Sequence, residues 1–230
     1  MSNKGRLYIV ATPIGNLKDF TFRAIDTLRE VDHIFAEDTR KSIKLMKHYD
    51  ITTNLDSYHE HNTTQKIPKI IRLLNEGKDI GLISDAGTPT ISDPGYKLIR
   101  ACIDEAIDII PIPGASAVTT ALSASGLPSD SFFFLGFLPQ KKGRKKKISF
   151  LKSLENTIII FESPHRLLKT LRELHDELGE RPIIVARELT KLYEEIIRGN
   201  FSSVVEFFES KKVKGELVII IGKDDDRVYF

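Results

Sequence analysis

The sequence has no tryptophan and a single cysteine, Cys102, in 230 residues. One cysteine cannot close an internal disulfide, and it cannot supply a thiolate zinc site, which needs several. Cys102 lies in the helical pattern "YKLIRACIDEA", where it reads as a core thiol in a reducing cytosol. No apolar run approaches the roughly 20 residues that span a bilayer, so no membrane segment is expected. The start, "MSNKGRLYIVATP", has only a short apolar run that ends in Thr-Pro; it reads as a first strand and not as a signal peptide. An excess of one charge is lacking too, since 34 Lys and Arg against 32 Asp and Glu leave a net charge of +2. There is no G-x-x-x-x-G-K-[ST] and no G-x-G-x-x-G, which excludes the familiar phosphate cradles. No repeat of fixed period appears. The six His are scattered, so no metal is expected.

What is present is ordinary in composition and ordered in pattern. Hydrophobic residues make up 41% and charged residues 29%, as in a soluble globular chain. Short apolar runs alternate with amphipathic stretches, the pattern of α/β proteins with a largely parallel sheet. "RLYIVAT", "HIFAE", "NLDSYH", "DIGLISD" and "IDIIPIP" read as strands, with helical patterns between them. "GASAVTTALSASG" reads as a closely packed helix. "LPSD" at Leu127–Asp130 breaks the pattern, so two α/β domains are expected, 1–126 with a parallel-rich sheet and 127–230 with a mixed one. In the second, "SFFFLGFLP", "TIIIFES", "RPIIVARE", "YEEIIRG" and "GELVIIIG" read as strands. "PHRLLKTLRELHDELG" reads as a helix with Ser163 as N-cap, Pro164 in the first turn and Gly179 as stop.

Unusual loops gather at predicted strand ends, where open α/β sheets bind ligands. They are "ATPIGN", "EDTR", "SDAGTPTISDPG" and "PIPGASA", then "LGFLPQKKGRKKK", "FESPHR" and "ARELTK". Each alone could be a turn and a helix cap; together they exceed what connection requires. Asp85 and Asp93 in the third loop repel a pyrophosphate but suit ribose hydroxyls or a ligand carrying an ammonium or sulfonium. Charge is concentrated elsewhere: "QKKGRKKK", Gln140–Lys147, holds six Lys or Arg, and "DDD" occupies Asp224–Asp226.

"VATPIGNLKD", "AEDTR", "SDAGTPTISDPG", "PIPGASA", "FESPHR" and "ARELTK", in this order from about Arg6 to Gly222, resemble the tetrapyrrole-methylase-like superfamily. More narrowly the chain resembles the ribosomal RNA small subunit methyltransferase I family, which 2′-O-methylates a cytidine of 16S rRNA. The resemblance implies two α/β domains with S-adenosylmethionine in the cleft between them, a homodimer, and 16S rRNA or the small ribosomal subunit as partner in the cytoplasm. Many members continue into a further helical segment where this sequence stops at "DDDRVYF", so an RNA contact made there would be absent or replaced. Carried over by motif, Pro13 lines the cofactor cleft, and Asp85, Ala86 and Gly87 hold the methionine part, followed by Ile91 and Ser92. Leu135 and Gly136 match the adenosyl-contacting stretch; Phe161 with Glu162, Ala186 with Arg187, and Glu216 with Leu217 match cleft positions of the second domain.

Methyl transfer to a ribose hydroxyl needs positioning, a proton acceptor and a cation near the developing oxyanion. Glu162, His165, Arg166, Arg187, Glu188 and Lys191 stand in two strand-end motifs. Of these, Glu188 or Glu162 is the expected acceptor and Arg187 or Lys191 the expected cation; a structural ion pair of Arg187 with Glu188 is the plain alternative. The basic run is expected to hold RNA phosphates as a flexible arm, and Phe132, Phe133, Phe134 and Phe137 to be strand core. His59 and His61 make a poor metal site but could serve the cleft or the RNA surface. Two other functions fit parts of the pattern: C-methylation of a tetrapyrrole, which has no use for a Lys-rich arm, and a ribosome-assembly factor that binds RNA without catalysis.

Overall fold

A computed structural model describes residues 4–223, 225 and 228; Asp224 and Asp226 of the acidic tail lie outside the described residues. The chain forms two compact units, Met1–Ser116 and Ala117–Phe230. The helix Ala117–Ser123, which the sequence reading counts with the first half, packs on the last strand of the second unit.

In the first unit, β1 (Leu7–Val10), β2 (His33–Ala36), β3 (Asn54–Ser57), β4 (Ile80–Ile83) and β5 (Ile109–Ile112) alternate with α1 (Phe22–Glu30), α2 (Thr39–His48), α3 (Thr63–Asn75) and α4 (Tyr96–Asp104). The strands pair in the order β3-β2-β4-β1-β5, every pair parallel. Alternation of side chains sorts the strand residues onto two faces. Val10, Ile34, Ala36, Ile83 and Ile112 pack against Ala24, Ile25 and Leu28 of α1 and Leu45 and Met46 of α2. Leu7, Ile9, Phe35, Ile80 and Leu82 pack against Ile70 and Leu74 of α3 and Leu98 and Cys102 of α4. A sheet covered on both faces explains why its strands read as nearly continuous apolar runs. Helix starts follow capping chemistry: the Thr21 side chain accepts from Ala24 N, and that of Asp38 from Arg40 N. From β1 the chain moves toward β2, and from β4 the opposite way toward β5. The reversal therefore falls between the neighbouring strands β1 and β4, the place where doubly wound sheets open a crevice at their carboxyl ends.

The second unit runs α5 (Ala117–Ser123), β6 (Phe132–Phe137), α6 (Arg144–Lys152), β7 (Thr157–Glu162), α7 (Leu167–Leu178), β8 (Pro182–Arg187), β9 (Glu195–Asn200), α8 (Phe201–Glu209) and β10 (Leu217–Ile221). Its sheet is mixed, in the order β6-β7-β10-β8-β9, parallel only between β6 and β7. β10 is buried along its whole length at the centre. Its Leu217, Ile219 and Ile221 meet a core built from α6, α7 and α8. Leu167, Leu171, Leu174 and Leu178 form the inward stripe of α7, and truncating any one to Ala would cost ~2–5 kcal/mol.

The two-domain α/β expectation holds, with a parallel first sheet and a mixed second. Three local readings do not. Helix α7 begins at Leu167 with Arg166 as its N-cap, not at Ser163. Ser163 N instead donates to the Glu162 carboxylate (2.7 Å), and Arg166 N to Ser163 O (3.0 Å), so these residues close a turn before the helix. The basic run is not a flexible arm: from Arg144 onward it is helix α6. Phe132 and Phe137 are 42% and 54% exposed and are not core, whereas Phe133 packs against it.

Candidate functional site

The loops after β1 and β4 meet across the reversal point. Thr12 N donates to Gly87 O (2.8 Å) and Gly87 N to Thr12 O (3.0 Å), an isolated antiparallel bridge. Thr88 Oγ1 donates to Ala115 O (3.4 Å), bringing in the loop after β5. Gly87 has φ +80, and a Cβ there would stand 3.4 Å from Ile14 Cγ2. Thr90 (φ 77) and Ser92 (φ 66) share the left-handed region without glycine's freedom, and such strain gathers where a binding loop is held in one shape. Pro13 and Gly87 are buried; Ala86, Ile91 and Ser92 are exposed along the same loops.

Beside this bridge the first unit assembles charge. Asp85 accepts from Asp38 N (3.0 Å) and from Lys41 Nζ (2.6 Å), so it ties the start of α2 to the β4 loop. Burial raises the Glu37 carboxyl above its ordinary range, and the nearby Asp85 charge adds to this. Asp93 is pushed up to about 6 by burial and by the charges of Glu37 and Asp85, against a hydrogen bond from Ser84. The raised Glu37 and Asp93 carboxyls, set beside the Asp85 charge, lose that penalty when a cation arrives. The donor set thus suits a ligand with positive charge and hydroxyls. The sequence reading found Asp85 and Asp93. It missed Glu37 and Lys41, although Glu37 opens the "EDTR" motif it singled out and Lys41 directly follows it.

In the second unit the register sets candidate residues abreast. Leu217 pairs with Glu162 on one side and Arg187 on the other, and Arg187 pairs with Glu195. Glu162 is enclosed. Its Oε1 receives Arg166 Nη2 (2.6 Å) and Ser163 N, and its Oε2 receives Thr170 Oγ1 (2.7 Å). With a side-chain exposure of 0%, this carboxylate is an internal anchor whose oxygens are already engaged by Arg166, Ser163 and Thr170. Arg187 donates to Glu195 Oε2 (3.2 Å), not to Glu188.

Glu188 and Lys191 form a separate cluster at the end of β8. Lys191 Nζ bridges Glu188 Oε1 (2.8 Å) and Glu216 Oε2 (2.9 Å), and Glu216 N donates to Glu188 Oε1 (3.0 Å). Glu188 has φ 51 and Thr190 φ 66. Gly215 makes room for the acid, since a Cβ on it would lie 2.4 Å from Glu188 Cδ. Burial alone would raise the Glu188 carboxyl, but the Lys191 ammonium and the Glu216 amide outweigh it and hold it below its usual range. Burial would likewise lower Lys191, yet Glu188 and Glu216 keep it above the ordinary lysine range. At neutral pH the pair is carboxylate and ammonium. Of the adenosyl-matching residues, Gly136 (φ 72) sits at a bulge in β6 beside half-buried Leu135. The Phe161 ring lies 5.0 Å from Phe134 and 5.6 Å from Phe137. Ala186 and Leu217 are buried; the Glu216 side chain is exposed. His59 and His61 rings lie 6.2 Å apart, and among the described residues no group of three or more His, Cys, Asp or Glu is arranged to hold a metal ion. No helix among them is long and apolar enough to cross a membrane.

This frame, a parallel sheet with bridged loops followed by a mixed sheet, defines a methylase class: the chain belongs to the Tetrapyrrole (Corrin/Porphyrin) Methylases, whose family pattern matches residues 6–205. The fold is shared with a solved cobalt precorrin-4 methyltransferase of cobalamin biosynthesis (TM-score 0.71, 18% identity, covering 94% of each chain). It is also shared with uroporphyrin-III C-methyltransferase from Thermus thermophilus complexed with S-adenosyl homocysteine (TM-score 0.65, 16% identity, covering 95% of this chain and 97% of that one). Within the class the chain belongs to the ribosomal RNA small subunit methyltransferase I family. It is 52% identical to the Halalkalibacterium halodurans member, over 98% of this chain and 78% of that protein. It is 48% identical to the Thermotoga maritima member, over 96% of this chain and all of that protein.

Proposed function

We propose that the protein transfers a methyl group from S-adenosylmethionine to the 2′-hydroxyl of a cytidine ribose in 16S rRNA, in the cytoplasm and as a homodimer. The reading rests on 48–52% identity, along nearly the whole chain, to proteins named Ribosomal RNA small subunit methyltransferase I. The chemistry of the first unit fits the cofactor, whose sulfonium and ammonium are the kind of charge that Glu37, Asp85 and Asp93 favour. Pro13, Asp85, Ala86, Gly87, Ile91 and Ser92 hold the methionine part, and Leu135, Gly136, Phe161, Ala186, Glu216 and Leu217 serve the rest. When bound, S-adenosylmethionine supplies an activated methyl carbon, so the chain's task is to position the hydroxyl and manage one proton.

Glu188 takes that proton as the C–O bond forms; its lowered pKa makes it a weak base but keeps it ionised. Lys191 remains an ammonium and stabilises charge on the ribose oxygen. Arg187, tethered to Glu195, adds positive potential at the same strand end. Glu162 holds the "FESPHR" turn in place. The test is transfer from methyl-labelled S-adenosylmethionine to small ribosomal subunits and to naked 16S rRNA, followed by digestion to nucleosides. Label in 2′-O-methylcytidine is the expected result; label confined to a base, or to no nucleoside, overturns the reading.

A further inference from the structure

Helix α6 divides the basic run into an anchor and a face. Arg144 is buried: Nε donates to Glu173 Oε2 (2.7 Å), Nη1 to Pro139 O (3.2 Å) and Nη2 to Thr170 Oγ1 (2.7 Å). Thr170 in turn donates to Glu162, so the helix is pinned to the "FESPHR" turn through a continuous polar chain. With Ile148 and Leu151 also buried, the inward stripe of α6 is fixed. Lys145, Lys146 and Lys147 then have no choice but to face solvent, joined by Lys141 and Lys142 in the preceding turn and Lys152 at the helix end.

None of these six lysines forms an ion pair among the described residues. The first turn of α6 contains no acid and its N-cap, Gly143, offers no side-chain acceptor. Three lysines near the positive end of a helix dipole cost stability. A face shaped for stability alone would carry Asp or Glu there. Phe150, 44% exposed and set against Phe133 at 5.7 Å, keeps the Lys147 ammonium 5.7 Å above its ring.

We propose that the outward face of α6, together with Lys141 and Lys142, is a rigid docking surface for the phosphate backbone of RNA, held in register by the Arg144–Thr170–Glu162 chain. It rests on the RNA-methylation reading and adds where the substrate is gripped. The binding is electrostatic and indifferent to sequence, each neutralised phosphate releasing counterions.

The experiment measures the affinity of 16S rRNA transcript for the parent, for K145A/K146A/K147A and for K145R/K146R/K147R across a fourfold range of salt. Thermal unfolding and S-adenosylmethionine affinity serve as folding controls. The Ala variant should bind more weakly, with a salt slope reduced by about 2.1–2.7, so that the salt rise costs it about 20- to 40-fold less affinity than it costs the parent. The Arg variant should keep the parent's slope. A folded Ala variant with the parent's affinity and slope overturns the surface while leaving methylation of RNA intact. A parent that binds cofactor but neither binds nor methylates this RNA or the small ribosomal subunit takes down both readings.

Discussion

Asp93 makes a demanding test of the electrostatics around the β4 loop. Replacing it with Asn keeps the shape and the capacity to accept from Ser84, and removes a charge that its surroundings penalise. Its pKa stands at about 6 in the folded chain against an ordinary 3.8. That difference sets a ceiling of about 3 kcal/mol on the cost of ionising it, and about 1–3 kcal/mol is the expected range for a partly exposed group. The sign follows from proton binding. Between about pH 4 and about pH 6 the unfolded carboxyl has lost its proton while the folded one keeps it, so stability of the parent falls across that window and is level above it. Asp93→Asn should therefore gain nothing on the parent near pH 4 and be more stable by about 1–3 kcal/mol near pH 8. Urea unfolding at both pH values, followed by far-UV circular dichroism because the chain has no tryptophan, measures it. A variant less stable than the parent near pH 8, or a difference that ignores pH, would refute the claim that Glu37, Asp85 and burial oppose ionisation of Asp93.

Other expectations concern single groups. Gly87→Val places a β-branched residue at φ +80, at a strain of about 1–2 kcal/mol or more, and should weaken S-adenosylmethionine binding at least ~10-fold; Asp85→Ala should also weaken it, and calorimetric titration showing parental affinity in both folded variants removes the loop from the cofactor assignment. Glu162→Gln should lower stability by about 2–4 kcal/mol, because it leaves Arg166 beside an uncharged partner; a large fall in kcat with unchanged unfolding would return Glu162 to the candidate proton acceptors. Glu188→Gln and Lys191→Met should each reduce kcat by about 10²–10⁴-fold with cofactor affinity kept, and single-turnover transfer at the parent's rate by either variant would exclude it from the chemistry.

Much of the fold could be read from pattern because each signal was local. β1, β2, β4 and β10 are short apolar runs between turn residues, and α7 carries its leucines at helical spacing. Helix α8 escaped notice because "FSSVVEFFE" is rich in residues that favour strands; its start depends on reciprocal hydrogen bonds between Asn200 and Ser203. Helix α6 was hidden by its charge, since only Ile148 and Leu151 mark its inner face and the third inward residue is an arginine. The start of α7 was misplaced because Ser163 looks like a cap until the Glu162 carboxylate is seen to claim its amide. At the candidate site the loops were conspicuous, but their pairings were not. Lys41 with Asp85 and Lys191 with Glu216 join residues 44 and 25 apart, and partners at that separation are chosen by sheet order, which a single sequence does not display.

The bridge between Thr12 and Gly87 also bears on when the molecule becomes competent. Its two residues are far apart in sequence and are brought together by the pairing of β1 with β4, the central pair of the first sheet. Contacts between distant segments require the chain to meet the entropy of closing the intervening loop. A nascent or partly unfolded chain therefore offers no finished loop to a ligand, and recognition is reserved for molecules whose first sheet is complete. Any ligand seated on that loop adds its binding free energy to the native state alone, so the cofactor, bound there as proposed, would act as a selective protectant, sparing finished copies from proteolysis and leaving unfinished ones exposed.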